Sequence, residues 1–360
     1  AAEEDPFSGL PPAEEMVKKI PDLDLDDPDL DLFKVEEKIS IAKRTEEAAL
    51  SFSPEIGNSE GAEFSHSRSH IWYMNSHGFH GDFPSASSSI SVSPIAKRNG
   101  EMQRDYWFSY GRKHKKLDSP EAVGKRAAER ALARLGARKI KTCEAPVIFD
   151  PEMAGGLLGT LFSAVAGSSL YRGASFLVGR LGSSVASSMV NITDDGTIPG
   201  GPGSRPFDGE GLPVSPHSVI ENGVLVNYLL DSYSARKLNM KSTGNASRSI
   251  GDGPSAGCFN FFMKPGKPSS KEIISSVKSG LYLTETIGFG INLATGDYSR
   301  GAAGYWIENG ALAYPVEEIT IAGNLKDMLL NIEMVGSDLE MRSSISAPTI
   351  KISKMIIAGS

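Results

Sequence analysis

Apolar residues recur at helical spacing near the start of the chain. Over residues 33–50, charged side chains occupy most of the positions that separate the apolar residues, which is typical of an amphipathic helix. The apolar positions that carry this pattern are Val35, Ile39, Ala42, Ala49 and Leu50. We therefore predict an amphipathic helix over this segment.

Two further helices are predicted from the residues that open them. Residues 119–135 begin with Ser119 in the N-cap position, Pro120 in the first turn and Glu121 next, all of which are favourable at a helix start. A helix of about four turns is expected there. The short apolar strand APVIFD precedes an apolar, glycine-rich helix over residues 151–166.

Alternating patterns predict strands in the rest of the chain. Residues 56–110 form short alternating runs that are separated by turn dipeptides such as His-Gly and Asn-Gly, which predicts an antiparallel meander with a serine-rich face. Beyond Asp194 the pattern is again mostly strand-like. The Asn222-Gly223 dipeptide between HSVIE and VLVNYLL predicts a β-hairpin, and SSKEIISSVKSG predicts a further helix.

These elements predict an α+β fold with mixed, largely antiparallel sheets and flanking helices. The 360 residues are enough for two domains that each bury a core. Residues 1–32 carry prolines and a run of alternating acids and leucines, which is typical of an extended linker. We predict a middle α/β domain over residues 33–142 and a C-terminal β-rich domain over residues 143–360.

Composition narrows the function classes. Apolar residues make up 40% and charged residues 22% of the chain, values that favour an ordered globular protein. The net charge of −7 gives no basic field for a nucleic-acid backbone, and no apolar run has the roughly 18 residues of a membrane helix. Cys143 and Cys258 are far apart, which suits a reducing compartment, and both are expected to be small buried residues.

Four of the six histidines lie close together in sequence. They are His66, His70, His77 and His80. On a strand the first two and the last share one parity, so a four-histidine metal site would require a sharp turn near Ser76–Gly78. The spacing permits zinc without indicating it, and the alternative is a set of polar histidines on the solvated face of a sheet.

Two polar segments are candidates for substrate contacts. Asp208 and Glu210 in PFDGEG could orient a substrate amine, or the aspartate could accept hydrogen bonds from its own turn. The segment TGDYSRG, residues 295–301, could hold a peptide carboxylate or main chain, or Asp297 and Arg300 could form a structural pair that closes a tight loop.

Long ordered blocks of the sequence resemble the TldD/PmbA family, and specifically its PmbA branch, which is also called TldE. The blocks include NSEGAEF, MQRDYWFSYGR, APVIFDPE, SLYRGASFL, PFDGEG, KSTGNASR and TGDYSRGAAGYWIENGALAYPVEEITIAGNLKDML. The family's small first domain would precede Ala1. With these motifs, the candidate peptide-binding residues are Asp208, Glu210, Asn245, Arg248, Asp297, Tyr298, Ser299 and Arg300.

The resemblance also bears on metal binding. Proteins of the TldD branch are zinc peptidases with a HExxxH helix, in which two histidines bind the metal and the glutamate activates water. Alignment on APVIFDPEMAGGLL puts Gly159, Thr160 and Ala164 at those three positions, and no cysteine follows Cys258 to match that branch's C-terminal ligand. The resemblance implies no catalytic or metal-binding residue in this chain, with zinc on a TldD-type partner.

The function that the resemblance implies is a partner role. We expect the metal-free subunit of a cytoplasmic complex with a TldD-like zinc peptidase, which trims or degrades small unfolded peptides such as microcin precursors. Main-chain pairing of the peptide with a sheet edge would give tolerant binding. The alternative is a non-enzymatic peptide-binding or scaffold homodimer. Neither hypothesis requires contact with nucleic acid or with a membrane.

Overall fold

The computed structural model describes residues 5–359. Its α-helices are α1 (Val35–Leu50), α2 (Pro120–Ala133), α3 (Pro151–Val165), α4 (Gly167–Tyr171), α5 (Ser232–Lys237), α6 (Ser270–Ser275) and α7 (Leu325–Leu330). The strands up to the start of α3 are β1 (Ile56–Met74), β2 (His80–Arg98), β3 (Glu101–Arg104), β4 (Trp107–Gly111) and β5 (Cys143–Phe149). Short 3-10 helices lie at Ala13–Glu15, Pro28–Leu32 and His114–Lys116.

The later strands are shorter except near the C-terminus. They are β6 (Ile192–Asp194), β7 (His217–Glu221), β8 (Val224–Leu225), β9 (Ala246–Ser247), β10 (Ser255–Ala256), β11 (Phe261–Met263), β12 (Ser279–Ile287), β13 (Ile291–Asn292), β14 (Asp297–Glu308), β15 (Ala311–Asn324), β16 (Ile332–Val335), β17 (Ile345–Ser346) and β18 (Ile350–Ala358). The mixture of helices with antiparallel and mixed sheets confirms the predicted α+β class.

A long antiparallel hairpin of β1 and β2 dominates the chain before α2. Strand β4 pairs back with β2 beside β3, so the predicted meander is wrong in its last step. Period-2 alternation gives β2 one buried face and one half-buried face of serines, including Ser87, Ser89 and Ser91. The predicted serine-rich face is therefore present.

Helices α1 and α2 pack on the buried face of this sheet. They approach so closely that a Cβ at Gly124 of α2 would lie 2.3 Å from the Thr45 carbonyl oxygen of α1. The predicted apolar face of α1 is wrong in part, because Val35 is 63% and Ile39 is 50% exposed. Small residues, including Ala48, Ala49 and Gly124, make the contact between α1 and α2. The spacing of the larger apolar residues does not indicate which side of α1 these small residues occupy.

The C-terminal half is built around two mixed sheets with α3 between them, and β9 and β10 pair as a separate two-stranded sheet. The larger sheet has the order β12-β5-β18-β15-β14-β13, with β16 paired to β18, and the smaller has the order β17-β11-β6-β7-β8. Helix α3 contacts β5 and β12 of the first sheet and β11 and β17 of the second. Its apolar residues, including Leu157, Leu158 and Leu161, are buried in the largest hydrophobic core.

Local turn chemistry fixes the predicted hairpin between β7 and β8. Asn222 and Gly223 both have positive φ, at 47° and 81°, the conformation that a two-residue type I′ turn requires. A Cβ at Gly223 would also lie 2.3 Å from the Ala186 carbonyl oxygen. The hairpin prediction is confirmed.

The N-terminal segment of residues 5–32, which we call the strap, is ordered against both halves of the chain. The Val17 N–H donates to the Gly211 carbonyl at 2.9 Å, and the Ala86 N–H donates to the Leu25 carbonyl at 2.8 Å. Buried strap residues include Met16, Leu23, Leu25 and Leu30. The strap therefore contributes buried apolar side chains, and the division of the chain into a linker over residues 1–32 and domains that begin at residues 33 and 143 stays a proposal.

Candidate functional site

A wide cleft lies beside the first turns of α3. Its volume is about 1380 Å³, and its walls come from β4, α2, the start of α3, the strands β12, β14 and β15, and residues 338–347. Aromatic side chains line much of it, namely Tyr106, Trp107, Phe108, Tyr282, Tyr305 and Tyr314. A cleft of this size, with aromatic walls and a few charged groups, can hold an extended peptide.

Asp150 fixes the start of α3 at the edge of the cleft. Its side chain accepts a hydrogen bond from the Met153 N–H at 2.8 Å, the N-cap arrangement that its position before Pro151 favours. The carboxyl is only 4% exposed. Burial raises its pKa to about 6, because the ionised form loses hydration that the hydrogen bonds only partly replace.

Glycines make up much of the surface that α3 presents to the cleft. Gly155, Gly156 and Gly159 all line it. A Cβ at Gly156 would have no atom within 4 Å, and those at Gly155 and Gly159 would make ordinary contacts at 3.6 and 3.7 Å. Packing therefore does not require these glycines, although each destabilises a helix interior by roughly 0.5–1 kcal/mol relative to alanine. They leave the helix backbone open to close approach from the cleft.

Three arginines that line the cleft surround the indole of Trp107. The guanidinium carbons of Arg126, Arg130 and Arg342 lie 5.3, 5.2 and 4.4 Å from the ring centroid. Each guanidinium also has a carboxylate partner: Arg126 pairs with Glu129, Arg130 with Asp105, and Arg342 with Glu340. The cation–π contacts and ion pairs hold this wall in one arrangement.

The cleft carries more acid than base. Its acidic residues are Asp105, Asp118, Glu129, Asp150, Glu152, Asp338 and Glu340, against the three arginines at Trp107. Burial raises the pKa of Tyr106 to about 12 and also raises that of Tyr305, so both hydroxyls remain neutral donors at physiological pH. The site is thus acidic, with neutral phenols.

The residues at the HExxxH positions do not fit a catalytic zinc. Gly159 has no side chain, the Thr160 hydroxyl donates to the Gly156 carbonyl at 3.3 Å, and Ala164 is buried in the core. Zinc in a peptidase requires imidazole, thiolate or carboxylate ligands. Within residues 5–359, no group of three or more histidine, cysteine, aspartate or glutamate side chains is arranged to hold a metal ion.

The four histidines of the β1–β2 hairpin are spread out rather than gathered. His66 and His70 lie on β1, four residues and about 13 Å apart along the strand. His66 contacts Lys38 at 2.8 Å, His70 contacts Asp82 at 2.6 Å, and His77 contacts the Pro11 carbonyl at 2.9 Å. The structure therefore does not assemble the four-histidine site.

Asp208 and Glu210 are buried beneath the surface of the C-terminal half. Asp208 accepts hydrogen bonds from the N–H groups of Glu210, Leu212 and Ala246 at 2.9, 2.8 and 3.0 Å. Glu210 accepts from the Ser232 N–H at 2.9 Å. These contacts match the turn-stabilising alternative for Asp208, and neither carboxylate lines the cleft.

The other predicted site residues fall into two places. Asn245 is fully buried near Asp208, and Arg248 donates from Nε to the Gly209 carbonyl at 3.2 Å. The second group, Asp297, Tyr298, Ser299 and Arg300, forms the start of β14 rather than a tight loop. Neither group lines the cleft, and peptide binding by any of these residues stays a prediction.

Asp297 is held by residues other than the predicted arginine. Its carboxylate accepts from the Thr295 hydroxyl at 2.6 Å and from the Asn324 amide at 3.2 Å. Arg300 donates to the Thr286 carbonyl at 3.5 Å. The predicted structural pair of Asp297 and Arg300 is therefore wrong. Thr295 and Asn324 hold the Asp297 carboxylate instead.

Sequence reasoning missed the residues that form the cleft. Trp107 and Arg130 come from segments that were read as a strand and a helix, and Arg342 comes from a segment without a pattern. One local motif could have pointed to the cleft, namely the Asp-Pro-Glu start of α3. It marks an N-cap and puts Glu152 in the first turn of the helix. Only the fold brings these distant segments together.

Comparisons with known proteins agree with this architecture. The sequence pattern of the PmbA/TldA metallopeptidase central domain matches residues 28–135, and that of the PmbA/TldA metallopeptidase C-terminal domain matches residues 142–359. Metalloprotease PmbA of Escherichia coli O157:H7 is 43% identical over 342 residues, which cover 94% of this chain and 74% of that protein. The PmbA homolog of Haemophilus influenzae is 38% identical, covering 93% of this chain and 73% of that protein.

A solved structure shows the same fold. A proposed modulator of DNA gyrase from Bacteroides thetaiotaomicron has a TM-score of 0.92 at 28% identity, and the match covers 100% of this chain and 80% of that one. The fold and cleft thus define an α+β protein of metallopeptidase architecture. The chain belongs to the PmbA/TldD family and to its PmbA branch.

No helix within residues 5–359 combines the length and the apolar character that crossing a membrane would require.

Proposed function

We propose that this chain is the metal-free, PmbA/TldE-like subunit of a cytoplasmic peptidase complex and that its cleft holds unfolded peptide. A TldD-like subunit would carry the zinc and cleave the peptide bond. Microcin-type precursors are the proposed class of substrate. The relatives' names, which describe metalloproteases, support the use of a metal in the family.

The observation that carries the proposal is the contrast between an open cleft and the side chains beside it. The cleft has the volume and aromatic walls of a peptide site, and α3 leaves Gly155, Gly156 and Gly159 open to it. At the HExxxH positions, however, Gly159, Thr160 and Ala164 offer neither a zinc ligand set nor a general base. Peptide binding without cleavage fits both facts.

Zinc analysis and peptide cleavage by the purified chain, with and without a co-expressed HExxxH-bearing paralogue, test this function. Alone, the chain should contain no stoichiometric zinc and cleave no peptide. With the paralogue it should co-purify, and cleavage should be lost on adding a chelator. Chelator-sensitive cleavage by the chain alone would overturn the proposal. Repeated recovery of the chain only with itself would instead favour the scaffold homodimer.

A further inference from the structure

Glu152 differs from most other acids of the cleft in its hydrogen bonding. Its Oε1 is shielded from water and accepts no hydrogen bond from the described residues, while its Oε2 receives the Tyr106 hydroxyl at 3.4 Å, a long distance. By contrast, Asp338 accepts both the N–H and the hydroxyl of Thr349, at 2.9 and 2.7 Å. A shielded carboxylate oxygen without a donor is unfavourable unless something supplies one.

The charges around Glu152 favour a cation as the missing donor. Asp105, Asp150 and Glu152 all lie within electrostatic range of Arg130, and that guanidinium is hydrogen-bonded to Asp105. The remaining arginines at Trp107 are paired with Glu129 and Glu340. Around the Glu152 carboxylate, negative charge therefore exceeds positive charge. This excess would attract a cationic ligand.

Glu152 also lies in line with the open surface of α3. Residues at i, i+3, i+4 and i+7 share one face of a helix, and Glu152, Gly155, Gly156 and Gly159 have this spacing. A peptide lying over the glycines would thus pass the carboxylate at the first turn of α3. A rotation of the partly buried Glu152 side chain would let the carboxylate and the glycines contact the same extended ligand.

We propose that Glu152 binds a primary ammonium group of a peptide held in the cleft. The group is either the free amino terminus or a lysine side chain, since both offer the same charged N–H donors. The inference rests on the proposed function, because it assumes that the cleft holds peptide. It adds the chemical feature by which the cleft selects and orients its ligand.

Short fluorescent peptides that differ only in their ammonium groups test this assignment on the full chain. Three versions are compared by fluorescence anisotropy: a free amino terminus without lysine, the same peptide N-acetylated, and the acetylated peptide with one internal lysine. We expect an ammonium-bearing peptide to bind roughly tenfold more tightly than the acetylated peptide without lysine. Which of the two ammonium peptides gains affinity identifies the source of the group.

The Glu152→Gln variant keeps the shape of the side chain and removes its charge. It should bind all three peptides with affinities equal to that of wild type for the acetylated peptide, which also shows that it is folded. The matched control Glu121→Gln, on α2 and paired with Arg44, should retain the wild-type preference. Equal binding of all three peptides by wild type would overturn the assignment and leave the proposed function intact. Failure of every peptide to bind would overturn both.

Discussion

The Asp194 carboxylate and the Asn245 side-chain amide meet at 2.7 Å, and both residues are fully shielded from water. The second Asp194 oxygen accepts from the Phe259 N–H at 2.8 Å. Burial is the largest influence on this carboxyl and raises its pKa to about 7, although both hydrogen bonds lower it. Asn245, which sequence reasoning offered as a peptide contact, is thus a partner of a buried acid.

The raised pKa of Asp194 predicts that stability falls as pH rises through about 7. The carboxyl of an unfolded aspartate titrates near 3.9. Between that pH and about 7, Asp194 of the folded protein therefore keeps a proton that the unfolded chain has released. The free energy of unfolding should therefore be larger at mildly acidic pH than at mildly alkaline pH. Asp194 alone should contribute roughly 1 kcal/mol of this difference for each pH unit between about 4 and its folded pKa, and its contribution should level off at higher pH.

Urea unfolding of wild type and Asp194→Asn at a series of pH values measures this contribution. The substituted amide can accept from Phe259, and with the Asn245 amide turned over it can donate to the Asn245 Oδ1, which accepts no bond from the described residues in the wild type. The variant should show a flatter pH dependence, while the exposed control Glu63→Gln keeps the wild-type slope. Identical slopes for Asp194→Asn and wild type would mean that Asp194 stays ionised across the range.

Two helical glycines should respond in opposite ways to alanine. Gly156→Ala should stabilise the protein by about 0.5–1 kcal/mol, because a Cβ there has open space and alanine favours helix. Gly124→Ala should destabilise it by about 1–3 kcal/mol, because its Cβ would lie 2.3 Å from the Thr45 carbonyl oxygen. Thermal and urea unfolding of the two variants provide the comparison.

Peptide affinity separates the structural role of Gly156 from a role in binding. A bulky Gly156→Leu variant should remain folded, since the side chain projects into the cleft, but it should weaken binding of unfolded peptide by at least about tenfold through steric exclusion. If this variant keeps the wild-type affinity for peptide, the peptide does not bind over α3.

Local signals explain which parts of the fold were predictable. The Ser119–Pro120 start gives α2 its N-cap, where Ser119 Oγ accepts from the Ala122 N–H at 3.2 Å, and Asn222-Gly223 gives the β7–β8 turn. Such features depend on neighbouring residues only. The burial of Leu23 and Leu25 and the exposure of Val35 depend on contacts made by distant segments, which a spacing pattern does not contain. The cleft is a property of this long-range packing.

Arg236 should anchor the strap to the C-terminal half. Its guanidinium donates to the carbonyls of Phe7 and Gly9 at 2.9 Å and to that of Leu10 at 2.7 Å. Arg236→Ala removes these charge-assisted bonds, so local opening of the strap should become easier.

Hydrogen exchange at the Val17 amide, which donates to Gly211, should accelerate by roughly tenfold. The control Lys241→Ala should leave that amide unchanged, and slow exchange at Val17 in Arg236→Ala would show that apolar burial alone holds the strap.

Asp105 should contribute more to stability than exposed ion pairs do. Its side chain is 6% exposed and lies 3.2 Å from Arg130 Nε and 3.8 Å from Arg134, whose side chains are 13% and 19% exposed. Asp105→Ala removes the hydrogen-bonded counter-charge of the shielded Arg130, whereas Arg134 keeps Glu285 at 2.6 Å, and it should destabilise the protein by about 3–5 kcal/mol. The exposed pair of Lys139 and Glu318 is the control, since Lys139→Ala should change stability by less than about 1 kcal/mol. Urea unfolding at low and high salt checks both, because screening weakens the exposed pair more than the buried one. A change of less than about 1 kcal/mol in Asp105→Ala would mean that Asp150 and Glu152 take over the arginine.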